Sequence, residues 1–249
     1  MKPHIALIAA TYGESDRLEK ALSDRNRKSI RLAGKRLIKA KHLGRDVLLM
    51  NSGVGKVNAA HAATLLFENY SVNPVVAFGI GGAYPYTMLY PGDIAIADRE
   101  IYGDEGVITL KGWKGLKDMG FPSVLCGRKR FFNEFSMDMK LVKKADNVAA
   151  AMGLNKKVGP FVTVSTCTGT AERAVELAKR FNAICENMEG AAIAHICTIY
   201  GVPMIEIRGI SNIATDRDTS SWDLRLASEN CQKVVFEFLK GICSRLLTP

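Results

Sequence analysis

Short, continuously apolar runs recur along the chain, separated by stretches whose apolar residues return every third or fourth position. The runs at 5–10, 47–51, 75–79, 93–97, 161–164, 183–187 and 204–210 have the length of buried strands. Helical periodicity covers 57–69, 139–152, 171–181, 189–200 and 222–247. Local chemistry marks several ends: Thr170 is a natural N-cap, Gly201 follows the last turn of the fourth helix, and Ser221 is placed to cap the final one. Strands alternating with helices predict an α/β fold around one mixed, largely parallel sheet. No repeat or low-complexity linker divides residues 1–249, so a single domain is expected. The segment 101–135, rich in glycine, aromatic and charged residues, breaks the pattern and is expected to be a long excursion over the rim of the sheet.

Composition narrows the class. With 47% hydrophobic and 24% charged residues, the 249-residue chain is neither disordered nor collagen-like. No apolar run approaches the ~18 residues of a membrane span, and 5–10 is too short for a signal-peptide core. Six cysteines, at 126, 167, 185, 197, 231 and 243, form no CxxC pair. They suggest neither a disulfide framework nor a zinc cluster, and a reduced cytoplasmic setting is expected.

The net charge of +9 raises the question of nucleic acid. Nine bases and no acid lie between Arg25 and Arg45, interleaved with Ile30, Leu32, Leu37 and Ile38 around an Ala33-Gly34 turn. That pattern predicts two short strands with a basic solvent face, which discourages edge-to-edge pairing. No nucleic-acid motif accompanies it, so neither a nucleic-acid nor a membrane partner is expected.

Two glycine turns invite a phosphate reading, and both fail on spacing. Ser52-Gly53-Val54-Gly55-Lys56 would need glycine at Met50 and Ser or Thr at Val57 to be a Walker loop. Gly79-Ile80-Gly81-Gly82-Ala83-Tyr84 lacks the third glycine of GxGxxG. What both offer is close approach of a ligand to the main chain. His4, His42, His61 and His195 form no HExxH, and His61 and His195 fall inside apolar helices, so no metal site is expected. Neither a GxSxG elbow nor a cysteine nucleophile stands out.

The carboxylates say more. Glu14 stands just beyond the first strand's carboxyl end, where α/β proteins keep their ligand crevice. Glu189 opens a helix after an apolar strand, and Asn212 ends another strand. Singly, an acid at a helix start is usually a dipole-complementing cap. Two acids and an amide at one rim make a candidate active site.

These residues fall within longer motifs: Ser52 to Ala60, the Gly79–Gly82 turn followed by Pro91-Gly92-Asp93-Ile94, Asn187-Met188-Glu189-Gly190-Ala191-Ala192, and Arg208-Gly209-Ile210-Ser211-Asn212. Their order resembles the nucleoside phosphorylase/nucleosidase superfamily from Ile5 to about Leu239. Further features lie in Glu100 to Gly106, Met119-Gly120-Phe121-Pro122, Glu206-Ile207 and Asp216-Arg217-Asp218. They are most similar to a branch that hydrolyses a hypoxanthine nucleoside bearing a distal carboxylate.

The resemblance implies a three-layer sandwich and a cofactor-independent purine nucleosidase, commonly a homo-oligomer. It implies that Glu14 activates water, Glu189 holds the ribose hydroxyls, Met188 packs beneath the ribose, and Asn212 meets the purine at N7 and O6. It also marks Gly79, Ile80, Gly82, Thr168, Ser211 and Arg208 as substrate-binding positions, although Arg208 can equally anchor its strand by ion pairing. Arg128, Lys129, Arg130 and Arg217 are the candidates for the distal carboxylate. Relatives acting on adenine nucleosides carry Asp at the position of Asn212; an amide suits a 6-oxopurine instead. An adenine nucleosidase, a phosphorylase using Arg17 for phosphate, and a non-catalytic nucleotide-binding module are the alternatives.

Overall fold

The computed structural model describes residues 2–22 and 27–244. Strand β1 (His4–Ala9) runs through a 3-10 turn, Tyr12–Glu14, into α1 (Asp16–Ala21). A meander of β2 (Lys28–Leu32), β3 (Lys35–His42) and β4 (Arg45–Asn51) precedes α2 (Lys56–Asn69). The long β5 (Val72–Ala83) and β6 (Ile94–Tyr102) follow. Next come two small hairpins, β7 (Gly106–Thr109) with β8 (Gly112–Gly115) and β9 (Val124–Cys126) with β10 (Lys129–Phe131), separated by α3 (Leu116–Met119). The chain continues through β11 (Glu134–Ser136), α4 (Met139–Ala151), β12 (Lys156–Thr163) and α5 (Ala171–Phe181). It ends with β13 (Cys185–Asn187), α6 (Gly190–Tyr200), β14 (Met204–Ile213), a 3-10 turn at Thr219–Ser221 and α7 (Leu224–Ser244).

One mixed sheet carries ten of these strands in the order β11-β6-β12-β13-β5-β1-β4-β3-β2, with β14 pairing both β5 and β6. The α/β class with a central mixed sheet flanked by helices is therefore as expected. Beyond it, the double pairing of β14 closes a ring, β5-β14-β6-β12-β13 and back to β5. Closure matters because it brings the ends of β5, β13 and β14 together around one hollow. The apolar runs became strands because both faces are covered: Val75, Val76, Ala77 and Phe78 of β5 are all buried. Helix α7 lies along β14 and β5 with α1 and α4 beside it, while α2 packs against α6.

Predicted ends held at Thr170, which accepts from the Arg173 N–H, and at Gly201, which takes the left-handed conformation at φ 66°. The final helix is not capped by Ser221, which sits in the preceding 3-10 turn. Asp223 accepts from the Leu226 N–H at 2.8 Å instead. The predicted end of that helix, beyond 244, lies outside the described residues. The excursion at 101–135 carries the two hairpins and α3. His61 lies on the exposed face of α2 rather than an apolar one, whereas His195 meets the Tyr102 hydroxyl at 3.2 Å and stacks on Phe135.

Arg25 lies outside the described residues, and the rest of the basic run is less free than expected. Strand β2 forms one edge of the sheet, and Lys28 and Arg31 are exposed. Arg27 and Arg36, however, both pair with the buried Glu19, and Lys35 reaches the Ser52 carbonyl. Arg45 is buried against the Pro3 carbonyl.

Candidate active site

Glu14 is placed by its own turn. The Thr11 N–H and hydroxyl donate to Glu14 Oε2 at 2.8 and 2.9 Å, a capping-box arrangement. Glu14 Oε1 accepts from the Ile80 N–H at 2.9 Å. Gly79 makes room for this, since a Cβ there would overlap Oε1. Three donors hold the carboxylate, leaving one of its roughly four acceptor positions open.

Glu189 stands at the start of α6 but does not cap it. Asn187 does, accepting from the N–H groups of Glu189 at 2.9 Å and Gly190 at 2.7 Å. The Glu189 side chain is thereby released to other partners. Its Oε1 accepts from the Gly55 N–H at 2.9 Å, and its Oε2 lies 3.4 Å from Arg208. The Gly53–Gly55 turn therefore orients a carboxylate rather than cradling a phosphate.

Arg208 ties the two acids together. Buried on β14, its Nε donates to Glu206 Oε1 at 2.7 Å, and its Nη1 reaches the Ile80 carbonyl at 3.1 Å and Glu14 Oε1 at 4.0 Å. Burial draws the Arg208 pKa down, but the charges of Glu206, Glu189 and Glu14 more than offset it, and the net shift is upward. The guanidinium is a permanent cation.

Behind Arg208 lies a second acid pair. Glu100 and Glu206 are fully buried, and only a glycine at 190 lets them meet, because a Cβ there would overlap an oxygen of each. Glu100 accepts from Thr163 Oγ1 at 2.7 Å and Asn187 Nδ2 at 2.5 Å. Burial, and then the neighbouring Glu206, push the Glu100 carboxyl well above the usual range. Glu100 therefore holds its proton beside Glu206, whose Oε2 meets no hydrogen-bond partner among the described residues.

At the other end a bulge in β14 does the positioning. Ile210 pairs with Gly81 and Asn212 with Gly82, leaving Ser211 as the extra residue. Ser211 Oγ lies 3.2 Å from the Gly81 carbonyl and 2.7 Å from Asn212 Oδ1. Glu14, Glu189, Arg208, Ser211 and Asn212 surround a cavity of about 270 Å³. Its walls include Glu14, Ile80, Gly82, Thr168, Met188, Glu189, Arg208, Ser211 and Asn212; Gly79 supports the wall from behind. Thr168 turns its N–H and hydroxyl onto Glu186, another lining residue. Burial, and then the Glu186 charge, raise the Cys167 thiol pKa, so this wall residue is a poor nucleophile.

Of the four cations considered for a distal carboxylate, Arg217 lines the cavity, stacked 5.0 Å from the Trp222 ring centroid. Arg128, Lys129 and Arg130 lie on the β9–β10 hairpin, away from the cavity walls. Arg17 pairs with Glu229 outside it. Sequence reasoning missed Thr11, Gly55, Asn187 and Glu186 as parts of the site. The available signal for Glu186 was a carboxylate in the middle of an apolar strand.

The site can hold a small polar ligand between an acid-rich end and an amide end. A family model described as Phosphorylase superfamily matches residues 4–240. Futalosine hydrolase of Thermus thermophilus is 35% identical over 196 residues, covering 79% of this chain and 82% of that protein. The 5'-methylthioadenosine/S-adenosylhomocysteine nucleosidase of Staphylococcus epidermidis is 30% identical, covering 88% of this chain and 90% of that one. Among solved structures, the Neisseria meningitidis nucleosidase of the latter name, in complex with methylthio-immucillin-A, superposes with a TM-score of 0.83. It is 25% identical and covers 96% of this chain and all of that one.

Proposed function

The chain belongs to the phosphorylase superfamily, and from that premise we propose that it hydrolyses the N-glycosidic bond of futalosine. The products are hypoxanthine and dehypoxanthine futalosine, in the service of menaquinone biosynthesis. The observation that carries this reading is an amide, Asn212, at the base end of a cavity that also presents Arg217. An amide donates N–H to a 6-oxo group and accepts from a protonated N7, and Arg217 has no carboxylate partner among the described residues.

Cleavage passes through an oxocarbenium-like sugar, so negative charge near the ribose favours the transition state. Glu189 hydrogen-bonds the ribose hydroxyls and faces the developing cation. Glu14, with one acceptor position open, orients and deprotonates the attacking water. Met188 packs beneath the ribose. Arg208 positions both acids, lying 4.0 Å from Glu14 Oε1 and 3.4 Å from Glu189 Oε2. Asn212 steadies the purine as N7 takes a proton from solvent water, to which Glu14 later returns the one it accepted. No cofactor or metal enters these steps.

Charge also favours water over phosphate. The cavity is lined by Glu14, Glu186 and Glu189 against Arg208 and Arg217, and Arg208 is already surrounded by three carboxylates. A phosphate dianion entering beside Glu14 meets net repulsion. Release of adenine from methylthioadenosine is the second reading, favoured by the Staphylococcus relative; Asn212 counts against it, because the amide N–H that suits a 6-oxo group would face the donor of a 6-amino group. The reading extends to one nucleosidase domain over residues 1–249, acting in the cytoplasm as a homo-oligomer. Six unpaired cysteines suit a reducing compartment, and exposed Val57 and Ile199 suit a subunit contact.

The test is futalosine in phosphate-free, heavy-oxygen water. Hypoxanthine release with the label in the sugar product is expected. No release until phosphate is added would reject hydrolysis.

A further inference from the structure

Gly82 has a polar register partner on each side, and both partners line the cavity. On β13 it pairs with Glu186, and on β14 with Asn212. Strands lie ~4.8 Å apart, so these two residues stand on one sheet face roughly 10 Å from each other. Gly82 between them has no side chain, and all three line the cavity. The result is a slot with an amide on one side, a carboxylate on the other and bare backbone between.

Glu186 is an unusual wall residue. It is buried, and no ion pair neutralises it among the described residues. Its Oε1 accepts from the Thr168 N–H at 2.9 Å. Its Oε2 accepts from the Tyr84 hydroxyl at 3.1 Å and from the Thr168 hydroxyl. Three of about four acceptor positions are filled, and the open one is on Oε1. Burial and the Glu186 charge push the Tyr84 pKa well up, so Tyr84 keeps its proton and remains a donor. A buried carboxylate without a cation is costly, and a ligand donor offsets that cost.

We propose that Glu186 is a specificity-determining residue that accepts the N1–H of a 6-oxopurine, opposite Asn212 across Gly82. Hypoxanthine has a donor at N1, whereas adenine has a lone pair there, which the carboxylate repels. Two residues then discriminate the base: Asn212 at the N7 and O6 side and Glu186 at N1. This assignment rests on the hypoxanthine-nucleoside reading above and deepens it.

The test compares wild type and Glu186→Gln on a hypoxanthine nucleoside and its 1-deaza analogue, in which C–H replaces N1–H at constant shape. Wild type is expected to prefer the N1–H substrate by roughly 10- to 100-fold in kcat/KM, the range for a hydrogen bond to a charged group. In Glu186→Gln that preference falls about tenfold, while circular dichroism is unchanged. A purely structural role would slow both substrates equally and leave the ratio intact, overturning the proposal. Equal use of the two substrates by wild type overturns it without any variant. Wild type releasing adenine but no hypoxanthine would instead reject the reading on which the assignment rests.

Discussion

Glu14 occupies the space that a side chain at Gly79 would need. A Cβ at residue 79 would overlap Glu14 Oε1 and lie 2.9 Å from Arg208 Nη1. The carboxylate proposed to activate water is thus seated against bare backbone of β5, and its position depends on the absence of one methyl group.

Gly79→Ala should therefore act on chemistry more than on folding. Overpacking of this size costs about 1–3 kcal/mol, which a thermal melt would register as a lowered Tm. Displacement of Glu14 should reduce kcat by roughly 100-fold, a size seen for 1 Å misplacements of reacting groups. Near-normal turnover in this variant would show that Glu14 is not held by this contact.

Glu14→Gln and Glu189→Gln keep the shape of each side chain and remove its charge. Each should fold, and each should lose roughly 10²–10⁴-fold in kcat, the range for positioned acid–base groups. On the proposed roles, Glu14→Gln removes the base that takes the water's proton, and Glu189→Gln removes charge facing the sugar cation. Steady-state kinetics beside a melting curve decides the matter. A variant that retains most of its turnover has been assigned the wrong role.

Much of this layout was legible in the sequence, and the rest was hidden for identifiable reasons. Strands β1, β4 and β5 announce themselves because both faces are buried, which leaves uninterrupted apolar runs. Thr170 and Gly201 mark helix ends through chemistry local to them. Helix α1, Asp-Arg-Leu-Glu-Lys-Ala, shows one apolar turn at most and gives no period to detect. Ring closure was invisible because β13 meets β5 through only Cys185 and Glu186, far away in sequence. In sequence Glu189 has the look of a helix cap, whereas in the structure Asn187 caps α6 in its place. Glu186 reads in sequence as part of a core strand, and only the register with Gly82 shows what it faces.

The buried pair Glu100–Glu206 makes stability depend on pH. The folded protein binds the Glu100 proton more tightly than the unfolded chain, whose carboxyl titrates near 4.5. This contribution is complete below that pH and declines as pH rises toward the folded-state value. Glu100→Gln, which mimics the protonated form, should flatten that decline. Denaturant melts from pH 5 to pH 9 check it. An identical slope in both proteins would mean that Glu100 is not the group that titrates.

Arg217 should matter only for substrates with a distal carboxylate. Arg217→Ala is expected to raise KM for futalosine about tenfold, within the range for a charged hydrogen bond, and to leave inosine kinetics unchanged. Its stacking on Trp222 requires no buried partner, so the melting temperature should stay within a degree or two. Equal losses on both nucleosides would place the distal group elsewhere.

The most direct test of the account is the ratio of kcat/KM for futalosine to that for methylthioadenosine in phosphate-free buffer, measured for wild type and Asn212→Asp. The wild-type ratio should exceed roughly 10³, because a base-reading site rejects a mismatched edge strongly. It should fall steeply in Asn212→Asp, whose carboxyl can protonate N7 and accept from a 6-amino group. Comparable release of adenine and hypoxanthine by wild type, or a ratio that ignores the substitution, would contradict the assignment of both substrate and base reader.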